Sequence, residues 1–271
     1  MKTLLAWILL FISIASVTSQ KIERIISLAP SLTKSIYYLE AADKLMGHTS
    51  FCHIAKSDNK EMVATAVKVN IEKVVSMRPD LVIATTITNP ETIAMLRKAG
   101  LRVEVFSTPK SFDEICTQFV NLGTILGKDE KANAIVADAK KQVAGIRAQK
   151  RSSDPLRFFI QIGAKPLYAV LENTFMNDYI TFLGGKNIAD GLTRGTLTRE
   201  YVLVNKPDVI VVVTMGIVGD EEVKTWRSYA HLPAVSNNRV FIVESDMACT
   251  PTPPDFLKTL QILNELIAQT H

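Results

Sequence analysis

The sequence of 271 residues lacks the short motifs that mark the commonest enzyme sites. It contains no G-x-S-x-G turn, no Walker A loop, no G-x-G-x-x-G after the first predicted strand and no H-E-x-x-H pair. It has only four histidines and no H-x-x-H or C-x-x-C spacing, so it also lacks the ligand pattern of a structural zinc site. These absences argue against catalysis and against a structural metal.

Strong charge is also missing. The formal net charge is +4, the lysines are scattered, and no basic stripe is interleaved with aromatics, which argues against a nucleic-acid surface. The chain has no low-complexity segment, and its 47% hydrophobic content is ordinary for a globular protein. Its length fits two domains of about 100 to 150 residues each.

The N-terminus has the composition of a secretory signal peptide. Lys2 precedes the apolar run LLAWILLFISIA, and the small and polar residues SVTSQ follow. This pattern predicts a signal peptide over residues 1–19, cleaved after Ser19. A retained membrane anchor is the alternative, but the run is shorter than the ~20 residues that span a bilayer. We therefore expect a soluble mature protein outside the cytoplasm.

One stretch of the chain occurs twice. NIEKVVSMRPDLVIAT, residues 70–85, aligns without a gap with TREYVLVNKPDVIVVV, residues 198–213. Each copy has an apolar helical half, a basic residue followed by Pro-Asp, and an apolar run rich in Val or Ile. This order predicts a helix, a sharp stop and a buried parallel strand. The repetition predicts two similar α/β lobes, with chance recurrence of a common pattern as the alternative.

Predicted strands and helices alternate along both halves, which indicates parallel sheets covered by helices on both faces. Residues 128–151 are rich in Ala and Lys and contain no proline, so they predict one rigid helix of about 35 Å. We therefore expect an N-terminal lobe at 20–127, a connecting helix at 128–151 and a C-terminal lobe at 152–271. Residues 51–62 are predicted to be a polar loop, and residues 171–185 a helix.

Ligands of open parallel sheets bind at the carboxyl ends of the strands. If the two lobes face each other, the loops at those ends line one cleft between the lobes. The candidate ligand-binding residues are Pro30, Ser31, Ser50, Phe51, Cys52, His53, Thr85, Thr86, Met215, Asp246 and Cys249.

Two of the three cysteines lie in these predicted loops, one in each lobe. Cys52 and Cys249 could form a disulfide that clamps the lobes, could be soft ligands to a metal or metal cofactor, or could be unlinked lining residues. His53, next to Cys52, adds slightly to the metal alternative. Cys116 has helical spacing with apolar neighbours and is predicted to be a buried small hydrophobic residue.

A pair of glutamates occupies matched positions in the two repeats. Glu72 and Glu200 each lie in the predicted first turn of a helix, where the helix dipole favours acidic residues. Stabilisation of the helix is therefore one interpretation. The other is a pair of surface carboxylates that a symmetric partner recognises with arginines.

Together these features resemble the type III periplasmic solute-binding proteins of ABC importers, the family that binds vitamin B12, haem and ferric siderophores. The resemblance rests on RIISLAPSLTKSIYYL, VNIEKVVSMRPDLVIAT, the long helix from Lys128 and TREYVLVNKPDVIVV. It implies a non-enzymatic protein with two Rossmann-like lobes, which holds one ligand between them and delivers it to a permease dimer in the inner membrane.

The resemblance also implies a ligand, a cellular compartment and a docking role for two residues. The ligand is a corrinoid first, with haem or a ferric siderophore next, and no intrinsic cofactor is expected. The compartment is the periplasm. Glu72 and Glu200 match the helix-borne glutamates that dock on permease arginines in this family.

The sequence departs from the family at several positions. Lys34 replaces the usual acidic residue after the first turn's threonine, and Phe51 is the one aromatic ring that the loop SFCHIA offers to a corrinoid face. Cys52, His53 and Cys249 are not family features, so axial metal contact by them is a hypothesis. A secreted metal- or thiol-dependent redox enzyme, a metal-ion binding protein using these three residues, and an adhesin or sensor on the same fold stay as alternatives.

Overall fold

The computed structural model describes residues 21–65, 68–149, 154–214 and 219–270. The predicted signal peptide and Met215 lie outside these ranges. Within them the strands form two separate sheets, one in each half of the chain, so the predicted two-lobe α/β architecture is confirmed. None of the helices in these ranges is long and apolar enough to cross a membrane.

The N-terminal sheet is wholly parallel, with the strand order β3-β2-β1-β4-β5. Its strands are β1 (Ile25–Ser27), β2 (Leu45–Thr49), β3 (Glu61–Ala64), β4 (Leu81–Thr85) and β5 (Val103–Phe106). The helices of this half are α1 (Pro30–Tyr38), a 3₁₀ turn (Ala42–Lys44), α2 (His53–Ser57), α3 (Ile71–Ser76), α4 (Pro90–Lys98) and α5 (Phe112–Ile125). The chain starts at the central strand and winds outward to both edges, as in a doubly wound fold.

Helix α6 (Asp129–Arg147) joins the halves, and a second sheet follows. Its strands are β6 (Arg157–Ala164), β7 (Leu167–Ala169), β8 (Lys186–Asn187), β9 (Thr196–Leu197), β10 (Val209–Thr214) and β11 (Val240–Glu244), in the order β11-β10-β6-β7-β9 with β8 beside β6. The remaining helices are α7 (Asn177–Phe182), α8 (Arg199–Asn205), α9 (Gly219–Arg227), α10 (Pro233–Ser236), α11 (Ser245–Ala248) and α12 (Pro253–Ala268).

Three local predictions were wrong. The expected polar loop at 51–62 contains α2 and the start of β3, an edge strand in which only the last two residues are buried. The expected helix at 171–185 begins only at Asn177, because the preceding residues turn, with the Thr174 hydroxyl donating to the Leu171 carbonyl at 2.8 Å. Strand β7 was missed, and it runs antiparallel to β6 and β9, so the second sheet is mixed.

The two copies of the repeat fold alike. Asn70 and Thr198 accept a hydrogen bond from the backbone N–H three residues later, and so cap α3 and α8. Each helix is followed by a basic residue with positive φ, 46° at Arg78 and 42° at Lys206, directly before the proline. The predicted order of helix, stop and buried strand is therefore confirmed in both copies.

The aspartate of each copy has a role that the sequence pattern did not predict. Asp80 Oδ2 accepts hydrogen bonds from the backbone N–H groups of Glu23 and Arg24, both at 2.9 Å, just before β1. Asp208 Oδ2 accepts one from Arg157 N at 2.8 Å, at the start of β6. Each carboxylate therefore holds the start of the first strand of its lobe, β1 or β6, beside the neighbouring parallel strand of the sheet, β4 or β10.

The connecting helix α6 is part of a core that both lobes share. It has 19 residues, which makes it about 28 Å long, and it packs on α5 and α12. In the same core, the ring of Phe256 from α12 stacks on Phe112 from α5, with centroids 4.5 Å apart, and on Tyr179 from α7 at 4.6 Å. Because this apolar contact is continuous across the two lobes, we expect the lobes to move little relative to each other.

We expect two glycine-to-alanine changes in the α5–α6 pair to have opposite effects. A Cβ on Gly123 would overlap the Cβ of Ala132, so Gly123→Ala should lower the free energy of unfolding by about 1–3 kcal/mol. A Cβ on Gly145, inside α6, would meet nothing within 4 Å beyond its own stretch of helix in the part of the chain that the structure describes. Gly145→Ala should therefore add about 0.5–1 kcal/mol. Urea denaturation measures both, and equal stability of Gly123→Ala and wild type would contradict the packing.

Candidate ligand site at the carboxyl ends of both sheets

A cavity of about 370 Å³ lies at the carboxyl ends of the N-terminal strands. Three predicted residues line it together: Pro30 after β1, Phe51 after β2 and Thr85 at the end of β4. Phe51 is 55% exposed, and Ile87, in the loop after β4, is 79% exposed. Large apolar side chains exposed in a cavity are typical of ligand contacts.

The rest of this cavity is weakly charged and mixes apolar with polar side chains. Apolar side chains expose more of its surface than polar ones do, and Lys68 is the one charged residue among the described residues that line it. The polar residues are Thr49, Thr65, Thr85, Thr88, Asn89 and Thr92. Sequence reasoning missed Ile87 and Lys68, although Ile87 follows directly on the predicted strand end at Thr86.

A second cavity, of about 340 Å³, lies at the carboxyl end of β6. Its wall includes Gly163 and Ala164 from the end of β6, Lys165 from the β6–β7 turn, and Glu221 and Glu222 from the start of α9. Met215 falls between β10 and α9, outside the described residues, so its contact with a ligand stays a prediction.

The floor of this second cavity contains a buried polar network. Glu222, only 5% exposed, accepts hydrogen bonds from Arg199 Nη2 at 2.7 and 2.8 Å and from Gln161 Nε2 at 2.8 Å. Gln161 in turn accepts one from Trp226 Nε1 at 2.6 Å, and the Arg199 guanidinium lies 4.7 Å from the centre of the Trp226 ring. Nothing in the sequence predicted this network, because its members come from β6, α8 and α9.

An ion-pair network joins helix α1 of the N-terminal lobe to helices α11 and α12 of the C-terminal lobe. Lys34 Nζ, on α1, lies 2.8 Å from Asp246 Oδ2 on α11 and 3.5 Å from Asp255 Oδ2 on α12. Tyr38 donates to Asp255 Oδ1 at 3.0 Å, and its burial, together with the Asp255 charge, raises the pKa of its phenol. Asp246, a predicted ligand contact, is thus paired with Lys34, the residue that departs from the family pattern.

We expect Lys34→Met to weaken the contact between the lobes. The change leaves the buried Asp255 carboxylate with only its uncharged hydrogen-bond donors, so the free energy of unfolding should fall by about 1.5–3 kcal/mol. The control is Lys131→Met, which removes an exposed ion pair with Glu40 and should cost less than about 1 kcal/mol. Equal losses in the two variants, measured by urea denaturation, would contradict a special role for Lys34.

The three cysteines are free thiols, so the alternative of a Cys52–Cys249 disulfide is not realised in the structure. Cys52, 2% exposed, lies with its Sγ 3.2 Å from Thr33 Oγ1 and 3.3 Å from Thr49 Oγ1. Burial raises the pKa of the Cys249 thiol to about 11, which keeps it protonated near neutral pH. Cys116 is 1% exposed, which confirms its prediction as a buried residue.

The residues proposed as metal ligands do not form a cluster. His53 is exposed on α2, whereas its neighbour Cys52 is buried. Among the residues that the structure describes, no group of three or more His, Cys, Asp or Glu side chains could hold a metal ion. The metal-ion alternative, which used Cys52, His53 and Cys249 as ligands, thus finds no such cluster among the described residues, and the redox-enzyme alternative stays a hypothesis.

The other predicted loop residues have structural contacts. Ser31 is 8% exposed in the first turn of α1. Ser50 donates its backbone N–H to the Ala64 carbonyl at 2.8 Å. The Thr86 hydroxyl lies 3.1 Å from the Thr108 hydroxyl and so joins the loops after β4 and β5. Direct ligand contact by these three residues stays a prediction.

The two glutamates occupy equivalent places. Glu72 and Glu200 are the second residues of α3 and α8, and both are exposed. Hydrogen bonds from the backbone N–H of Glu200 and from the Thr198 hydroxyl lower the pKa of the Glu200 carboxyl. Both side chains are therefore available to a partner.

Comparison with known proteins identifies the family to which the chain belongs. Residues 25–247 match the family model described as periplasmic binding protein. The chain is 31% identical over 235 residues to the vitamin B12-binding protein of Vibrio cholerae serotype O1, covering 85% of this chain and 84% of the relative.

Solved structures agree on the fold. The periplasmic vitamin B12 binding protein BtuF of Vibrio cholerae matches with a TM-score of 0.77 and 28% identity, over 92% of this chain and 98% of the other. The periplasmic heme-binding protein RhuT from Roseiflexus sp. RS-1 matches with a TM-score of 0.80 and 22% identity, over 92% and 99%. The chain therefore belongs to the periplasmic binding protein family, whose members are the substrate-binding components of ABC importers.

Proposed function

We propose that this protein captures a corrinoid, with cobalamin as the first candidate, and delivers it to an ABC permease dimer in the inner membrane. The observation that carries the proposal is the wall of the N-terminal cavity, where exposed Phe51 and Ile87 lie among hydroxyl and amide groups. A corrinoid has an apolar ring face and a rim of neutral amide side chains, and this wall offers a partner to each.

The charge of the two cavities supports the same ligand class. Lys68 is the charged lining residue of the first cavity, and Lys165, Glu221 and Glu222 are those of the second. Glu222 is already paired with Arg199. The carboxylates of haem and of many ferric siderophores favour arginine-rich sites. Haem or a ferric chelate is therefore the second candidate, and the vitamin B12-binding relatives support the order.

The proposal also covers the export of the protein and its docking on the permease. Cleavage after Ser19 would release the mature protein into the periplasm. The exposed glutamates Glu72 and Glu200, at the same position of two equivalent helices, are suited to two equivalent arginine sites on a two-fold symmetric permease.

A ligand titration tests the proposal. Residues 20–271 are purified and titrated with cyanocobalamin, haemin and a ferric chelate, followed by visible absorbance and calorimetry. We expect one-to-one binding of cyanocobalamin. Phe51→Ala should weaken it about 10-fold or more through the lost apolar contact, whereas Ile54→Ala, exposed on α2 outside the cavity wall, should not. Binding of haemin but not of cyanocobalamin would overturn the corrinoid assignment.

The same titration tests axial contact by the thiols. Because Cys52 is buried between two threonines, we expect Cys52→Ala and Cys249→Ala to leave the absorbance of bound cyanocobalamin unchanged. A changed spectrum in either variant would restore the hypothesis of a metal–thiol contact.

A further inference from the structure

We propose that Arg199 and Glu222 form a positioning pair that connects the wall of the C-terminal cavity to helix α8, which carries Glu200, and that the described residues of the N-terminal lobe make no such connection. This inference rests on the proposed function, because it assigns a consequence to ligand binding in that cavity and to Glu200 on the docking surface.

The cavity side of the pair is Glu222. This side chain and Gln161 both line the cavity, and Gln161 Nε2 donates to Glu222 Oε2 at 2.8 Å. Both oxygens of Glu222 also accept from Arg199 Nη2. A ligand amide that donates to Glu222 or Gln161 must compete with these bonds, so its arrival changes the hydrogen bonds that hold Arg199.

The docking side of the pair is Arg199. It is the first residue of α8, directly before Glu200, and its guanidinium lies against the ring of the fully buried Trp226. Trp226 closes the network through its bond to Gln161. Because the network is buried, its hydrogen bonds are strong and depend on one another. A shift of the Glu222 carboxylate is therefore carried to the first turn of α8.

The Arg199 guanidinium could also donate a further hydrogen bond. Arg199 Nη1 is buried and has no hydrogen-bond partner in the part of the chain that the structure describes. A buried donor without a partner is costly, so an arrangement that gives Nη1 an acceptor is favoured when the pair moves.

The N-terminal repeat provides the contrast. The residue aligned with Arg199 is Ile71, the first residue of α3, which packs against the apolar cluster of its lobe. Helix α3 is therefore held by apolar packing, which is not directional. Helix α8, by contrast, is held by an ion pair with a residue of the cavity wall. We expect ligand binding to affect the two docking helices unequally.

Hydrogen exchange measured by mass spectrometry tests the inference in the mature protein, with and without saturating cyanocobalamin. In wild type the ligand should slow exchange in α8 by about threefold or more. Arg199→Gln should abolish this slowing while the protein is still saturated, and Arg199→Lys, which keeps the charge, should retain part of it. Ile71→Val, at the matched position, should leave it unchanged. Slowing that persists in Arg199→Gln, or that is absent in saturated wild type, overturns the proposal.

The two proposals can fail separately. If cyanocobalamin does not bind wild type, the corrinoid assignment fails, and exchange in the unliganded variants decides the positioning role. Arg199→Gln should then exchange in α8 about tenfold faster than wild type, with α3 unchanged. Equal exchange in α8 would overturn the positioning pair. Should Arg199→Gln not fold, Arg199→Lys provides the same comparison with a smaller expected change.

Discussion

Arg199→Met should lower the free energy of unfolding by about 3–5 kcal/mol, because it leaves the Glu222 carboxylate buried without its countercharge. The Arg199 side chain is only 27% exposed and that of Glu222 only 7%, so the carboxylate would keep little contact with water once its countercharge is removed. Urea denaturation at neutral pH measures the loss.

Two further variants separate this effect from a general loss of charge. Arg199→Met combined with Glu222→Met removes both ions, so most of the lost stability should return, as expected when apolar groups replace a buried ion pair. Lys224→Met removes a cation from the exposed face of the same helix, α9, and should change stability by less than about 0.5 kcal/mol. A loss below about 1 kcal/mol in Arg199→Met would contradict the role of Arg199 as the countercharge of a buried carboxylate.

The parts of the fold that the sequence predicted are those with a local cause. The repeat specified α3, β4, α8 and β10, because a cap, a proline and an apolar run act on neighbouring residues. Gly100 adopts φ 83° two residues after α4, a conformation that glycine favours at the end of a helix. The same locality explains the shorter elements that were missed, since α2 and β3 have no long apolar pattern to mark them.

Roles that depend on distant residues could not be predicted. The Pro-Asp pattern marked a stop, but Asp80 bonds to backbone groups 56 and 57 positions earlier in the chain. Lys34 was visible only as a departure from a family pattern, and its partner Asp246 lies 212 positions later. Such contacts follow from how the lobes pack, and periodicity in the sequence does not reveal that packing.

The candidate site was predicted by position rather than by contact. Strand ends placed Pro30, Phe51 and Thr85 in the same cavity, because parallel strands bring their carboxyl ends to one edge. The same rule grouped Cys52 with His53, yet neighbouring residues of a loop can point to opposite sides, and here one is buried and the other exposed. Side-chain direction therefore limited the site prediction more than the fold did.

Removal of the Glu72 and Glu200 carboxylates, which we propose to dock on the permease, should abolish transport while ligand binding stays intact. Truncating one partner of a charge pair in an interface costs about 2–5 kcal/mol, so Glu72→Gln or Glu200→Gln alone should lower uptake about 10-fold or more. The double variant should reduce uptake to background. The measurement is uptake of radiolabelled cyanocobalamin by cells of the source organism that lack the wild-type chain and express each variant, with the affinity of the purified variant measured beside it.

A matched control distinguishes docking from helix stabilisation. Glu91 is also an exposed glutamate at the second position of a helix, α4. Asn89 caps α4 by accepting from the Glu91 backbone N–H, and Asn70 caps α3 by accepting from that of Lys73. Glu91→Gln therefore removes the same charge from the same helix position, at a cost of only about 0.3–1 kcal/mol from the dipole. If Glu91→Gln lowers uptake as much as Glu72→Gln, the effect is one of helix stability. If the double variant transports normally, Glu72 and Glu200 are not docking residues, and the partner must recognise another surface of the two lobes.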